Sequence, residues 1–532
     1  MKDNNNKNII SRRSFLKFTG VAIGTAGTGL LTGCGEADVN LVPPAQSEPS
    51  SNLPSTWDDS ADYIYVGFGG AAAMAAIHTS KTYPNAKILI IEQHTAGGGS
   101  TKICGAGTYL GGGTATQTAN GFSENADDFY KNAVATAGEG GDADILRTYS
   151  DNVKATFDAL VEAGVQYQGF NPGYFSSPPN GTSLIFDNER RPEILSAAGL
   201  TTPVPHVHFA LADTTTTLTR AATMWRSLEN KVLALSNVKI SYSTEAKSLL
   251  TDNTGRVVGI TATKDGATKN FKATRAVLLC CGGFINNDEM VKQFIPHAMS
   301  CMRGGSGRDK GAGIKMAQAI GADVKLMNAA EDFCPIFMDD PALVRAIAVT
   351  PSGDRFAAED LGGPEMGRLI ARQYPDSYIV FDSQTYNEIP EATRTKLQLK
   401  TGATIEALAS ELGIVPQYLA QTVARYNASA SGGLDQQFKK GADVLRALNV
   451  GPFYAYKRTR SRVFTLSCGG LRINTKTQVL RPDGSVIKGL YAAGATTAHI
   501  NAQHYLAGGG TSGAFSFGRI AGLEMAKENS WA

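Results

Sequence analysis

A glycine-rich turn between two short apolar segments constrains the fold of this chain most. The first segment, 63–66, reads Tyr-Ile-Tyr-Val and runs directly into the turn, 67–72, which reads Gly-Phe-Gly-Gly-Ala-Ala. The second segment, 88–91, reads Ile-Leu-Ile-Ile. Short, fully apolar runs are typical of buried parallel strands. The pattern therefore predicts a strand, a tight turn and a helix, followed by a second strand of the same sheet.

The turn has the residue spacing of a dinucleotide-binding site. Gly67 permits the tight turn, Gly69 lets the backbone approach a pyrophosphate, and Ala72 lets the helix lie close to the sheet. The positive N-terminal end of that helix would face the phosphates. Glu92, 20 residues beyond Ala72, is placed to accept hydrogen bonds from ribose hydroxyls. A structural glycine turn is the alternative, but the flanking strands and the acid favour a cofactor site and hence a redox enzyme.

Composition excludes several other classes of function. At 532 residues and 42% hydrophobic content the chain can bury a large core, and its length suggests two or more domains. Its 50 basic and 48 acidic residues give a net charge of +2, so a nucleic-acid partner is not expected. No CxxCH or CxxC pair indicates haem, zinc or an iron-sulfur cluster. His206 and His208 alternate as on a strand, but they lack a third ligand, so no metal site is predicted.

The first 34 residues resemble an export signal. Residues 11–17 (Ser-Arg-Arg-Ser-Phe-Leu-Lys) match the twin-arginine pattern, and a weakly apolar stretch follows over 18–31. Residues 31–34 (Leu-Thr-Gly-Cys) resemble a lipobox, in which Cys34 would be lipidated; an ordinary cleaved signal peptide is the alternative. Residues 35–60 are expected to be a disordered tether. We therefore expect an exported protein, either periplasmic or a membrane-anchored lipoprotein.

Further glycine loops and strands place both ends of the chain in one nucleotide-binding domain. A loop over 97–107 could cradle a large cofactor with its backbone amides. The apolar run 276–281 leads into Gly282-Gly283, and 489–494 is again a strand ending in glycine. Helices are predicted over 127–164 and 218–235, and a helical pair over 404–430. The middle of the chain is therefore expected to be an insertion.

Five segments resemble the flavoprotein family that contains soluble fumarate reductases and 3-ketosteroid dehydrogenases; they are 66–73, 98–107, 278–290, 451–454 and 469–522. This resemblance implies an α/β fold in which a Rossmann-like FAD-binding domain carries an inserted α+β capping catalytic domain. The FAD domain would comprise 61–297 and 450–532, and the cap 298–449. It also implies hydride exchange at flavin N5, which forms or reduces a carbon-carbon double bond next to a carbonyl.

The resemblance also implies which residues hold FAD. In relatives that attach the flavin covalently, a histidine stands at the position matched by Ser100, so noncovalent FAD is expected here. The expected FAD-binding residues are Gly67, Gly69, Gly70, Ala71, Ala72, Glu92, Gly98, Gly99, Ser100, Thr101, Gly105, Ala106, Gly107, Ala246, Gly282, Gly283, Gly494, Thr511 and Ser512.

At the substrate end the chain is more similar to the ketosteroid dehydrogenases. The carboxylate-binding arginine of fumarate reductases aligns with Tyr505, and one of their histidines aligns with Leu466. A carboxylate needs a fixed cationic fork to offset its desolvation. In the ketosteroid enzymes, by contrast, a tyrosine hydroxyl and a glycine amide polarise the substrate ketone. Tyr505 and the amide of Gly509 are the matching catalytic pair.

The proton-transfer group of the family has no evident equivalent. An RFxxE-like segment is present over 355–359, but the position that follows it in the family pattern is matched by Gly363. Either the alignment is shifted by a few residues, so that Asp360 or Glu365 serves, or another group relays the proton. Tyr174 is the first such candidate and His504 the second. A surface tyrosine and a structural histidine are the plain alternatives.

These features favour an exported FAD-dependent oxidoreductase acting on an apolar cyclic ketone or enone, similar to a 3-ketosteroid. One alternative is a respiratory reductase of an unsaturated acid, similar to fumarate or urocanate reductases. Another is a flavin electron carrier with no substrate of its own. In each case electrons would be exchanged with a separate quinone-linked or cytochrome partner, because no haem motif or second nucleotide fingerprint is evident.

Overall fold

The computed structural model describes residues 53–174, 176–179, 181–501 and 504–531. The predicted signal peptide, the lipobox at Cys34 and the tether up to residue 52 lie outside these residues. None of the helices within the described part has the length and apolarity needed to cross a bilayer.

The strands and helices alternate irregularly along the chain. The strands are β1 (Asp59–Val66), β2 (Ile88–Ile91), β3 (Gly107–Tyr109), β4 (Leu184–Ile185), β5 (Val207–Phe209), β6 (Val238–Ser241), β7 (Thr244–Thr251), β8 (Val257–Lys264), β9 (Ala267–Leu279), β10 (Met302–Arg303), β11 (Val324–Lys325), β12 (Ala330–Phe333), β13 (Ile347–Val349), β14 (Asp376–Asp382), β15 (Lys400–Gly402), β16 (Phe453–Thr459), β17 (Phe464–Ser467), β18 (Gly470–Leu471), β19 (Gln478–Leu480) and β20 (Val486–Ala492). The helices are α1 (Gly70–Thr82), α2 (Ala115–Ala119), α3 (Ala126–Ala137), α4 (Ala143–Glu162), α5 (Pro192–Ala198), α6 (Arg220–Leu233), α7 (Asp288–Phe294), α8 (Ala312–Gln318), α9 (Gly363–Arg372), α10 (Ser383–Glu388), α11 (Glu391–Arg394), α12 (Ile405–Leu412), α13 (Pro416–Ser431) and α14 (Gly509–Met525).

The central sheet has the order β19-β20-β9-β1-β2-β6, and β8 and β7 extend it from β9. Strand β1 runs parallel to both β2 and β9, as the apolar segments predicted. In this register Val66 pairs with Ile91 on one side and with Leu279 on the other. The carboxyl ends of the three strands therefore lie at one edge, where a doubly wound α/β sheet binds its ligand.

The last helix of the chain packs on the first. Gly518 and Gly522 of α14 lie against the backbone of α1 at Ala71 and Ala75. The approach is so close that a Cβ at either glycine would collide with that backbone. The hydroxyl of Thr79 in α1 also donates to the carbonyl of Gly522 at 3.0 Å. The two ends of the chain thus form one domain around the central sheet.

The inserted cap has a sheet and cores of its own. Its four strands have the order β13-β14-β16-β15, and apolar side chains on and around this sheet form two clusters separate from the main core. Strand β16 pairs with β14 over seven residues, from Phe453 to Thr459. The sequence assigned 453–459 to the FAD domain, but this pairing places the strand in the cap. At the other boundary, β1 begins at Asp59 and takes up the last two residues of the expected tether.

The RFxxE-like segment forms a buried ion-pair network in the cap. Arg355 binds Glu359 through two nitrogens, at 2.8 and 2.7 Å, and Asp435 through the third, at 2.8 Å. Lys440 also binds Glu359, at 3.1 Å, and every one of these side chains is at most 1% exposed. Because each buried charge is paired, this segment is explained by packing and needs no role in catalysis.

A second buried network is centred on His206 of β5. Its Nε2 lies 2.7 Å from Glu124 and its Nδ1 3.1 Å from Glu189, and all three side chains are at most 2% exposed. Burial alone would lower the pKa of this histidine, but the two carboxylates outweigh burial and raise the pKa to about 10. The imidazolium therefore acts as the counter-ion of two carboxylates and not as a metal ligand.

Replacing His206 by glutamine is expected to cost about 3–5 kcal/mol of unfolding free energy at pH 7, because two buried carboxylates lose their counter-ion. A raised histidine pKa stabilises the fold fully below its unfolded value near 6.5, and that contribution disappears as pH rises through about 10. In urea titrations, the difference in unfolding free energy between wild type and the His206 variant should therefore become smaller from pH 7 to pH 10.

His208→Gln is the matched control. His208 is also fully buried, but burial lowers its pKa to about 4, so it is neutral above pH 7. The cost of this control substitution should not change over the same pH range. If the loss of unfolding free energy in the His206 variant stays constant from pH 7 to pH 10, His206 does not carry the positive charge assigned to it.

Candidate functional site

A cleft lies at the carboxyl ends of the central strands. It contains most of the positions that the sequence assigned to the cofactor, namely Gly67, Gly69, Gly70, Ala71, Glu92, Gly99, Ser100, Thr101, Ala246, Gly282, Gly283, Gly494 and Thr511. These residues come from seven separate segments of the chain, and the parallel register of the sheet brings them together.

The other predicted cofactor positions support the cleft without lining it. The amide of Gly98 donates to the carbonyl of Phe68 at 2.8 Å, and Ser512 accepts a hydrogen bond from the Tyr149 hydroxyl at 2.7 Å. Ala72 is fully buried in α1. Gly105, Ala106 and Gly107 lead into β3 directly behind the loop.

The glycines of the turn differ in what excludes a side chain. Gly67 has φ +101°, and a Cβ there would lie 2.7 Å from the carbonyl oxygen of Cys280. Protein packing therefore accounts for Gly67. At Gly69 the nearest protein atom would be 3.8 Å away, so the protein itself leaves space for a side chain. An open position at the N-terminal end of α1 is what close approach of a pyrophosphate requires.

Glu92 is held in place at the end of β2. One carboxylate oxygen accepts from the amide of Phe68 and the other from the amide of His94, both at 2.8 Å. These bonds fix the orientation of the carboxylate and leave lone pairs on both oxygens. Glu92 therefore fits the predicted role of binding the ribose hydroxyls.

Ser100 belongs to a small polar cluster in the cleft. Its hydroxyl donates to Asp309 at 3.0 Å and accepts from the amide of Ser306 at 3.0 Å. The same amide lies 2.8 Å from Asp309, whose carboxylate approaches Gly282. These bonds fix the Ser100 hydroxyl on both sides.

The substrate end of the cleft contains Tyr505. Its hydroxyl oxygen accepts from the amide of Gly510, the second residue of α14, at 2.7 Å. The predicted partner of Tyr505, the amide of Gly509, instead donates to the carbonyl of Leu506 at 2.6 Å, and Gly509 does not line the cleft. Tyr505 therefore lines the cleft, whereas the amide of Gly509 is already used to close the turn that begins the helix.

Glu331 of β12 lies beside Tyr505 and was not predicted as a site residue. It lines the cleft and is 8% exposed. Burial raises the pKa of its carboxyl to about 8, although the adjacent Tyr505 hydroxyl lowers it somewhat. Burial and the nearby carboxyl of Glu331 in turn raise the pKa of the Tyr505 phenol far above its ordinary value. Both groups are therefore protonated at neutral pH.

The two predicted relay residues lie elsewhere. Tyr174 packs on the cap, with its ring under the guanidinium of Arg190 at 4.2 Å and its hydroxyl 3.5 Å from Asp443. His504 pairs with Glu365 at 2.7 Å outside the cleft lining. Although burial would raise it, the pKa of Glu365 is lowered to about 2 by His504 and Arg368. Neither predicted residue reaches the cleft, because loop and cap contacts hold them outside it.

The position matched by Gly363 cannot hold a proton-transfer side chain in this packing, because a Cβ there would collide with the ring of Phe333. Asp360 is also engaged, with Arg191 at 3.2 Å and the amide of Gly441 at 2.9 Å. The structure therefore has no proton-transfer side chain at position 363, and the ring of Phe333 occupies the space.

Several cleft residues besides Glu331 were not predicted as site residues. Among those with polar or ionisable side chains are Asp309, Cys468 and His499. His499 is buried, and burial lowers its pKa to about 4. For Glu331 a weak signal existed, since it stands one residue from Asp332 in a short segment between apolar residues, but only the pairing of β12 shows which of the two acids faces the cleft.

Comparison with known proteins identifies the ligand of the cleft. A sequence model of the FAD binding domain matches residues 62–512. The chain belongs to this FAD-binding family. The cofactor predicted from the glycine motifs is therefore confirmed as FAD, and bound FAD supplies the two-electron acceptor or donor of the reaction.

The FAD-binding chain is similar to enzymes from both branches of the flavoprotein group. It is 26% identical to a fumarate reductase (cytochrome) of Shewanella frigidimarina, over 91% of this chain and 80% of that protein. It is 29% identical to a 3-oxosteroid 1-dehydrogenase of Mycolicibacterium smegmatis, over 51% of this chain and 56% of that protein. Among solved structures, the 3-ketosteroid-Δ4-(5α)-dehydrogenase of Rhodococcus jostii has 29% identity and a TM-score of 0.82, with 90% of this chain and all of that chain covered.

These findings establish the enzyme class. The protein is a flavin oxidoreductase that acts on CH-CH or C=C groups, as its FAD-binding relatives do. The α/β fold with an FAD-binding domain is confirmed by the same likeness. Within the cleft, Glu92 and the N-terminal end of α1 suit the ribose and pyrophosphate, and the region of Tyr505 remains for the substrate.

Proposed function

We propose that this enzyme forms or reduces a carbon-carbon double bond adjacent to the carbonyl of an apolar cyclic ketone or enone, of the 3-ketosteroid kind. The observation that carries the proposal is Tyr505, a buried phenol at the substrate end of the FAD cleft. Its oxygen already accepts from the Gly510 amide, which strengthens its hydroxyl as a donor to a ketone. A donor aimed at an oxygen that gains enolate character stabilises the transition state more than the ground state.

The charge pattern of the cleft supports a neutral substrate. Glu331 and Cys468 lie near Tyr505 in the lining, and neither side chain is cationic. Among the described residues that line the cleft, Arg308 is the one with a guanidinium or ammonium group. It is exposed and lies beside Ser306. A dicarboxylate would lose its hydration at Tyr505 without a fixed cationic fork to replace it.

Reduction of an unsaturated acid is the second candidate. The observation in its favour is that the relatives covering about nine tenths of the chain include a fumarate reductase, at 26% identity, and a urocanate reductase of Eggerthella lenta, at 27% identity over 87% of the chain. In that case Arg308 would be the cation nearest to the substrate. Since one relative is a fumarate reductase (cytochrome), we propose a separate cytochrome or quinone-linked electron partner for either substrate.

Tyr505→Phe is expected to lower the rate of flavin reduction by ketosteroids, or of its reoxidation by enones, by about 10²–10³-fold, because one donor to the carbonyl oxygen is lost. The measurement is anaerobic stopped-flow absorbance with 4-androstene-3,17-dione, its saturated counterpart, 2-cyclohexenone, fumarate and urocanate. Arg308→Gln is the matched variant for the second candidate and should not change the rates with ketones. Rapid reoxidation by the unsaturated acids alone, lost in the Arg308 variant, would exclude the ketone proposal.

We further propose that FAD is bound noncovalently, since Ser100 stands where a histidine would attach it. Denaturation of the purified holoenzyme with acid should therefore release all of the flavin into the supernatant, because no covalent bond retains it. Absorbance of the supernatant and the pellet measures the distribution. Flavin that stays with the washed pellet would contradict the proposal.

We also propose export by the twin-arginine route and a lipid anchor at Cys34, supported by residues 11–17 and 31–34. Changing both Arg12 and Arg13 to lysine should keep the protein in the cytoplasm, as shown by fractionation. Cys34→Ser should abolish incorporation of a labelled fatty acid but leave the FAD content unchanged. A lipid label that persists in the Cys34 variant would show that the anchor lies elsewhere.

A further inference from the structure

The carboxyl of Glu331 is placed in the FAD cleft by the pairing of two short strands. Strand β12 runs antiparallel to β17, and Glu331 lies directly opposite Leu466. Residues opposite each other in such a pair project to the same face. Leu466 and the next two residues, Ser467 and Cys468, line the cleft, as does Glu331 itself. The preceding and following residues of β12 therefore face away, and Glu331 alone of the two adjacent acids faces the cleft.

The groups around Glu331 are acids, thiols and a phenol. Tyr505, Cys468, Cys104 and Asp187 interact with its charge from the neighbouring elements. Among the described residues no salt bridge to Glu331 is formed. A carboxylate that is 8% exposed and has no counter-ion is disfavoured relative to the neutral acid.

The adjacent Asp332 has the opposite surroundings. Its carboxylate lies 3.1 Å from His297, 2.9 Å from Arg372 and 2.9 Å from the Thr465 hydroxyl. These partners lower the pKa of Asp332 despite its burial. They neutralise Asp332 on the other face of β12, so they provide no counter-ion for Glu331.

The carbonyl site would otherwise have a single donor. The Tyr505 hydroxyl, which also forms a hydrogen bond with the Glu331 carboxyl, can donate its proton. The amide of Gly509 is bonded to Leu506 at 2.6 Å, and the amide of Gly510 to Tyr505 at 2.7 Å. An oxygen that acquires enolate character is stabilised best by two donors fixed in a site without water. The carboxyl beside the phenol is the remaining group of suitable chemistry at this end of the cleft.

We propose that Glu331, as a neutral carboxylic acid, is the second hydrogen-bond donor to the carbonyl oxygen of the substrate, beside Tyr505. Glu331 keeps its proton throughout, so no bond to that proton is broken. A carboxylic acid that an apolar site keeps neutral can fill this role, because it donates a hydrogen bond without bringing a negative charge to the developing enolate. This inference rests on the proposed carbonyl substrate.

The first test needs no substrate. Infrared difference spectra of the holoenzyme, recorded between pH 6 and pH 10, should include the carbonyl stretch of a carboxylic acid that disappears above about pH 8. The band should be missing in Glu331→Gln and present in Glu162→Gln, a control that changes an exposed glutamate, 58% accessible, paired with Lys81. Identical spectra for wild type and the Glu331 variant at pH 6 would show an ionised Glu331 and would overturn the inference.

The second test reports on the carbonyl itself. With 4-androstene-3,17-dione labelled with ¹³C at C3, the carbonyl resonance of the ligand bound to wild type should shift downfield, and Glu331→Leu should lose a large part of that shift. The flavin reaction should slow by about 10²–10³-fold in Glu331→Leu. In Glu331→Gln, whose amide still donates, it should slow by about tenfold.

The pH dependence separates a donor from a base. Wild-type rates should fall above about pH 8, as the acid ionises beside the developing enolate, whereas Glu331→Gln should remain flat there. Rates that rise through the same pH range would make Glu331 a base and overturn the inference.

If the dione binds to wild type with a shifted resonance that Glu331→Leu retains, the donor role fails and the ketone proposal stands. If no ketone binds to wild type, the proposed function fails first. Should the leucine variant not fold, the glutamine variant and the wild-type pH profile decide.

Discussion

The functional site depends on the register of β1 between two parallel neighbours. Because Val66 is level with both Ile91 and Leu279, the turn at Gly67, the acid Glu92 and the Gly282 loop all leave the sheet at one edge. Strand β20 joins the same edge, since Ala492 pairs with Leu279, and brings Gly494 to the cleft. A shift of one residue in any of these strands would exchange the two faces of the strand and move its loop away from the cofactor. The apolar sequences of the strands therefore fix the geometry of the FAD site, although their side chains carry no polar group that could bind the cofactor.

Local sequence was sufficient where short-range spacing decides the structure. The glycine turn, the parallel strands and helix α6 were predicted from patterns within about 15 residues. The helix predicted over 127–164 is instead two helices, α3 and α4, because Gly138 and Gly140 adopt positive φ between them. Glycines that occupy the left-handed region end a helix even when apolar periodicity continues on both sides. In the same way β16 joins the cap because its partner is β14, a pairing between residues about 75 positions apart that no local pattern contains.

The substrate end could be predicted only in part, because it depends on which hydrogen bonds are already used. Tyr505 was found from its sequence context, but the partner of the Gly509 amide is visible only in the folded turn. Tyr174 and His504 carry suitable chemistry, yet Arg190 and Glu365 hold them outside the cleft. Glu331 lies in no motif, and its importance comes from what surrounds it. A sequence lists the available functional groups, whereas burial and partners decide which of them can react.

The contrast between paired and unpaired buried acids connects stability with function in this enzyme. Glu359 has Arg355 and Lys440 as partners, and Glu124 and Glu189 share His206, so each of these buried acids has a basic partner. Glu331 has no such cation, and the fold must hold it as a neutral acid, which disfavours folding progressively as pH rises from about 4.5 towards 8. Packing alone would favour an apolar residue at this position. A buried acid without a compensating cation is thus best explained by what occupies the cleft in the working enzyme. A carbonyl oxygen, which accepts hydrogen bonds and donates none, is the complement of a protonated carboxyl and a phenol side by side.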